Sequence, residues 1–248
     1  MSSNLVALAF DSRDPSSMAR FWAEALGWRV GDTVGDDGVV SVVPTDHTRF
    51  VIEFAPVEDP KVGQNRNHLD LTTTSLEDQR DSVARLLELG GRHIDIGQSP
   101  DEDHVVLADP EGNEFCILAP GNNFLAGCER LGAINCDGTR RVGQFWSEVL
   151  GWPLVWDQDE ETAIRAPDGT GPLITWSGPP LMDKRTKNRL HLDIAPPLAE
   201  HQHDELERLI AVGARRVDVG QGEVPWVVLA DPDDNEFCLV TPRDPRVG

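Results

Sequence analysis

The sequence predicts an α+β protein made of two tandem copies of one domain, each copy holding two strand–helix–strand–strand(-strand) units. Three observations predict it. The chain repeats itself: LADPEGNEFC (Leu107 to Cys116) returns as LADPDDNEFC (Leu229 to Cys238), FWAEALGW (Phe21 to Trp28) as FWSEVLGW (Phe145 to Trp152), and NRNHLDL (Asn65 to Leu71) as NRLHLDI (Asn188 to Ile194). The offsets are 124 (21 to 145), 123 (65 to 188) and 122 (107 to 229), so the copies differ by single-residue deletions in loops. The 248 residues also suit two domains of ordinary size, roughly 100 to 150 residues each. Finally, period-two runs alternate with helical ones inside each copy. The copies are expected at 1–120 and 129–244, joined by the Gly- and Asn-rich stretch APGNNFLAGCER.

The elements of the first copy follow in order. LVALAF (Leu5 to Phe10) is an apolar strand. Asp14 then supplies an N-cap, Pro15 the first helical position, and Gly27 the left-handed residue past the end, so Ser16 to Leu26 is a helix. VVSVVP and RFVIEFAP are strands, interrupted by Pro44 and a polar stretch. The order then restarts. NHLDLTT is a strand, Leu76 to Leu89 a helix with Val83, Leu86 and Leu87 on one face and Gly90 beyond it, and HVVLA with NEFCIL form a hairpin. Its turn is locally specified by Asp109, by Pro110 and by Gly112, which Asp234 replaces in the second copy.

Composition bounds the partners. A formal charge of -21 repels nucleic acid and anionic lipid. No apolar run approaches the ~20 residues that span a bilayer, and the start of the chain lacks the pattern of a secretion signal, so a cytoplasmic protein is expected. Its four cysteines are then reduced thiols.

The helix FW-E-LGW, the strand NHLDL and the hairpin LADPEGNEF, in this order in both copies, resemble the vicinal oxygen chelate superfamily of glyoxalase I, bleomycin-resistance proteins and extradiol dioxygenases. The resemblance covers essentially the whole chain. It implies paired βαβββ units whose sheets curl around a ligand site. Whether the units pair within a copy or across copies stays open, as does the choice between a pseudo-dimeric monomer and a homodimer.

Strand alternation makes the implied site concrete. If Leu69 and Leu71 pack under the helix, His68 and Asp70 face the concave side, and His191 and Asp193 do the same. Phe115 and Ile117 leave Glu114 and Cys116 on that face, repeated by Glu236 and Cys238. His104 and Trp226 precede the LADP strands at the cavity edge, where Trp176 is a further candidate. Arg66 and Arg189 share the face of the histidines, although surface ion pairs explain them equally. The cysteines are read as buried small hydrophobes before nucleophiles.

Members of the superfamily that bind metal draw ligands from the first and last strands of each unit. Carried over, the first-strand positions fall near Ala7 and on Leu131, which cannot ligate, and the final glutamate falls on Cys116 and Cys238. The first copy can assemble at most Glu53, His68 and Cys116 around a zinc, nickel, manganese or iron ion. The resemblance therefore implies a protein that binds a small organic ligand on a concave sheet, with no obligatory metal. The alternative is a metal-dependent lyase, isomerase or dioxygenase acting on vicinal oxygens. A degenerate, purely structural protein is the third reading.

Overall fold

The computed structural model describes residues 2–34, 37–99 and 101–243; residues 1 and 244, the outer ends of the expected copies, lie outside the described residues. Four units follow one another. The first holds β1 (Asn4–Ser12), α1 (Pro15–Leu26), β2 (Arg29–Val34), β3 (Val40–Val43) and β4 (Val51–Pro56). The second holds β5 (Asn67–Leu71), α2 (Leu76–Glu88), β6 (Arg92–His93), β7 (Val105–Ala108) and β8 (Glu114–Ile117). The third holds β9 (Leu131–Cys136), α3 (Arg140–Leu150), β10 (Leu154–Gln158), β11 (Glu161–Ile164) and β12 (Leu173–Trp176). The fourth holds β13 (Leu190–Ala195), α4 (Gln202–Val212), β14 (Arg215–Arg216), β15 (Val227–Ala230) and β16 (Glu236–Leu239).

The helix ends follow from the residues named above. Asp14 accepts a hydrogen bond from the Ser17 amide at 3.0 Å, and Pro15 opens α1 without needing an amide partner. Gly27 ends that helix at φ 70°. In the second hairpin turn Asp234 takes φ 69° where Gly112 takes φ 94°, and its carboxylate is held by Arg215.

The open question of pairing resolves across copies. The first sheet runs β14-β15-β16-β13-β1-β4-β3-β2 and joins the first unit to the fourth; the second runs β10-β11-β12-β9-β5-β8-β7-β6 and joins the third to the second. Each seam is antiparallel, with Ala9 opposite His191 on one and Asn135 opposite His68 on the other. Side-chain packing follows the other rule and ties units within a copy. Trp22 of α1 meets Phe115 of β8 edge-on at 5.0 Å, and Trp146 of α3 meets Phe237 of β16 at 4.9 Å. Both contacts belong to one continuous core between the sheets, which also takes Leu69, Leu71, Ile117 and Ile194.

The repeated turn now has a physical reason. Asp109 is fully buried; its Oδ1 accepts from the Glu111 and Asn113 amides, and its Oδ2 from Asn113 Nδ2 and Trp22 Nε1. Asp231 repeats this with Asp233, Asn235 and Trp146. The paired motifs FW and DPxxN are two halves of one buried network that fastens the first unit of a copy to its second. Burial pushes Asp109 up to about 6, while its four donors pull it down, so it is ionised at neutral pH.

Arg66 and Arg189 are buried, which corrects the surface reading of both. Arg66 Nε binds Asp137 at 2.6 Å and its terminal nitrogen the Asp233 carbonyl at 2.9 Å; Arg189 binds the Asp11 carbonyl at 2.7 Å and Glu111 at 3.0 Å. Each guanidinium thus links one copy to the other.

Candidate functional site

Because the apolar residues of each strand face the helices, the alternate residues floor two concave surfaces. On the first sheet these are Ala7, Ala9 and Asp11 of β1, Glu53 of β4, His191 and Asp193 of β13, and Cys238 of β16. Register sets Ala9 between Glu53 and His191, and Asp193 beside Cys238. Above them lies a cavity of about 570 Å³, whose wall includes Pro56, Val224, Pro225, Trp226, Val240 and Arg243. Trp226, 38% exposed, stands at its rim.

The second sheet repeats the floor under a different cover. Asn135, Thr175, His68, Asp70 and Cys116 occupy the equivalent register positions. Over this sheet the connection between the copies folds inward. Leu125 is buried against Ala133, Ala163 and Leu173, and Phe124 lies edge-on to Trp156 at 5.6 Å. Gly132 permits that approach, since a Cβ there would lie 2.8 Å from Leu125 Cδ1 and 2.7 Å from Thr72 Cγ2. His104 sits at the edge of this sheet, with Nε2 3.1 Å from Glu102.

The structure divides the proposed metal set. Glu53 lies on the first sheet, and His68 and Cys116 on the second, because β4 pairs with β1 while β5 pairs with β8 and β9. Each half of that set has different neighbours. His68, Asp70 and Cys116 form one group, and His191, Asp193 and Cys238 another, with donor atoms in each lying within 4.8 Å of one another. Glu114 and Glu236 turn to the strand ends, where Lys61 and Lys184 take them. Trp176 is in the core beside Ile174 and does not edge the cavity, since it alternates with Thr175. The counterpart of Ala7 is Ala133 and not Leu131, since Ala133 lies opposite Asp70 as Ala7 lies opposite Asp193.

Lys187, Asp11 and Arg243 were missed. Alternation along β1 carries Asp11 to the face of Ala7 and Ala9 and was available as a signal. Nothing in the sequence announces Lys187 or Arg243, which reach the cavity from irregular segments. Lys187 Nζ lies 2.8 Å from Asp11, and Arg243 holds Glu53 through both terminal nitrogens, at 2.9 and 3.2 Å.

The two clusters differ in electrostatics. Burial depresses His191 to about 4 and raises Asp193 to about 7, with Nε2 and Oδ1 3.4 Å apart. His191 Nδ1 and Asp193 Oδ1 are buried without hydrogen-bond partners. His68 is also pulled down by burial, but the hydrogen bond and charge of Asp70 outweigh it and leave His68 above its ordinary value. Burial pushes the Cys116 and Cys238 thiols up, so neither is an activated nucleophile.

His191 and Asp193 make opposing contributions to stability. Between pH ~4 and ~6.5 the unfolded chain holds one more proton at His191, so that contribution is lost as pH falls. Between ~4 and ~7 the folded chain holds one more at Asp193, so that contribution is lost as pH rises. In the intact protein the slopes cancel. His191→Gln is expected to make the melting temperature fall as pH rises from 4 to 7, and Asp193→Asn to make it fall as pH drops below 6.5. Parallel pH profiles for both variants would refute the assignment.

Each cluster can hold an ion by donor count, but the mixture is imidazole, carboxyl and thiol, closer to a soft set than to hard oxygen and nitrogen ligands. Ala9 and Asn135 stand at first-strand register positions, and Arg243 already occupies the carboxylate of Glu53. These residues do not fit a catalytic divalent ion that polarises vicinal oxygens.

Fold and site together define a protein of paired βαβββ units with a concave cavity on its first sheet. The glyoxalase-like domain family matches residues 7–118 and again 133–240, and the chain belongs to that family. Among curated relatives, "Glyoxalase 1" of Caenorhabditis elegans is 23% identical over 141 residues, covering 55% of this chain and 49% of the relative. The chain thus matches that relative over about half of the relative's length. Among solved structures, glyoxalase I from Zea mays superposes with a TM-score of 0.67 at 14% identity, covering 97% of this chain and 92% of the maize chain. A candidate dioxygenase from Bacillus subtilis superposes with a TM-score of 0.64 at 15% identity, covering 98% and 86%. These likenesses establish a shared fold. Among the described residues no helix is long and apolar enough to cross a membrane.

Proposed function

We propose that the protein binds a small organic ligand in the cavity of the first sheet, without an obligatory metal. The observation that carries this reading is the cavity itself: about 570 Å³, apolar on its walls, with two unpartnered buried polar atoms, His191 Nδ1 and Asp193 Oδ1, on its floor. A volume of this size suits a compact metabolite or drug-sized molecule. Unpaired buried polar atoms cost roughly 1–3 kcal/mol each, a cost that a ligand with matching groups relieves. Under this reading the second sheet, covered by Phe124 and Leu125, is structural.

A second reading, a metal-assisted lyase, isomerase or dioxygenase, draws on the two His-Asp-Cys groups. One experiment weighs both. Trp226 fluorescence is titrated against a metabolite panel in the presence and absence of chelator, using the natural protein and His191→Ala. Saturable quenching that survives chelator and weakens at least tenfold in the variant is expected. Quenching that requires stoichiometric metal, lost on His68→Ala or His191→Ala, would instead favour the enzyme reading.

A further inference from the structure

We propose that Arg243 is the recognition group of this cavity, and that its ligand is an organic acid whose carboxylate oxygens take the free guanidinium hydrogens while an apolar body rests toward Trp226. The inference rests on the reading that the cavity binds a small organic molecule, and it names the class of molecule.

The first support is the placement of the guanidinium. Arg243 follows β16 by four residues, and Val240, Thr241 and Arg243 carry the chain along the cavity. Both terminal nitrogens face Glu53, at 2.9 and 3.2 Å, which uses two of the five hydrogens of the group. The remaining hydrogens have no acceptor among the described residues. The Glu53 side chain is 14% exposed and that of Arg243 is 33%, and both line the cavity. A planar fork held in this way is pre-organised for a second carboxylate.

The second support is the charge around it. The cavity is lined by two cations, Arg243 and Lys187, and by five carboxyl groups, Asp11, Asp37, Glu53, Asp193 and Glu236. Each is pinned by a carboxylate on the floor, Glu53 on β4 and Asp11 on β1. Glu236, at the strand end, is taken by Lys184, and the buried carboxyl of Asp193 feels the positive charge of Arg243. Three of the five carboxyl groups, Asp11, Glu53 and Glu236, are thus already engaged by cations. At the Arg243–Glu53 pair an incoming carboxylate meets guanidinium hydrogens still to be shared, whereas a cation reaching Glu53 must first expel that guanidinium.

The third support is the contrast with the second sheet. There Thr175 holds the register position of Glu53, and the chain after β8 fills the hollow with Leu125 instead of crossing it with an arginine. The metal ligand expected on β4 has become the anchor of an arginine, so the cation facing the guest belongs to the chain.

Calorimetric titration in chelator with 2-naphthoate, 2-naphthamide and 2-naphthylmethylammonium tests this, because the three share one apolar body. The naphthoate is expected to bind about tenfold or more tightly than either neighbour, the difference of one charge-assisted hydrogen bond pair. Arg243→Gln should erase that preference, and Arg243→Lys should keep part of it. Glu53→Gln, which removes the anchor of the guanidinium, should shrink the naphthoate preference while leaving binding of the amide unchanged, a pattern that simple loss of folding cannot produce. Equal or tighter binding of the amide or the ammonium compound would overturn the assignment of Arg243 and leave the cavity reading standing. Absence of binding by all three would overturn both.

Discussion

Asp109→Asn is expected to lower the free energy of unfolding by roughly 3 kcal/mol, although the substitution changes neither size nor shape. All four hydrogen bonds at Asp109 come from donors, so the new amide nitrogen must point at another donor, either the Trp22 indole or a neighbouring amide. Two buried donors are left without an acceptor, because each carboxylate oxygen accepts two hydrogen bonds. For a chain of this size the loss corresponds to a fall in melting temperature of roughly 6–12 °C. Asp231→Asn, in the same network of the second copy, should behave alike. Calorimetric melts within about 2 °C of the parent would mean that the turn is fastened by its backbone alone.

Residues 1–120 produced alone are expected to form a homodimer with no folded monomer at micromolar concentration. Both seam strands of the first copy, β1 and β5, have their antiparallel partners in the second copy. Separated, each presents a long unpaired edge. A second molecule of the fragment can satisfy both, since NRNHLDL and NRLHLDI are the same strand in two copies and β5 can take the place of β13 beside β1. Sedimentation equilibrium across a dilution series should show folding lost together with the dimer. A compact monomer with native-like circular dichroism would contradict the pairing across copies.

Much of the fold was legible because its determinants are local. Asp14-Pro15 and Gly27 bound α1 through caps that need no tertiary partner, and the alternation of Leu69 and Leu71 with His68 and Asp70 assigns faces from spacing alone. The division of the metal set was not legible, since Glu53 and His68 are fifteen residues apart in sequence, 53 to 68, yet belong to different sheets. Sheet pairing depends on which edges meet, and identical strand sequences in both copies offer two solutions with the same local signals. Leu131 was misplaced by two residues, since Ala133 lies opposite Asp70 as Ala7 lies opposite Asp193. Arg66 and Arg189 looked like surface charges because their partners, Asp137 and Glu111, lie in distant segments. Arg243 lies beyond the last periodic stretch, where pattern carries no information.

Phe124 and Leu125 give the joining segment two duties at once: it spans from one repeat to the next, and it serves as a resident occupant of the hollow beside Asn135. Its length and its apolar residues are thereby tied together. A shortened or more polar joint would bridge the repeats equally well, but it would strip the apolar cover from Ala133, Ala163 and Leu173.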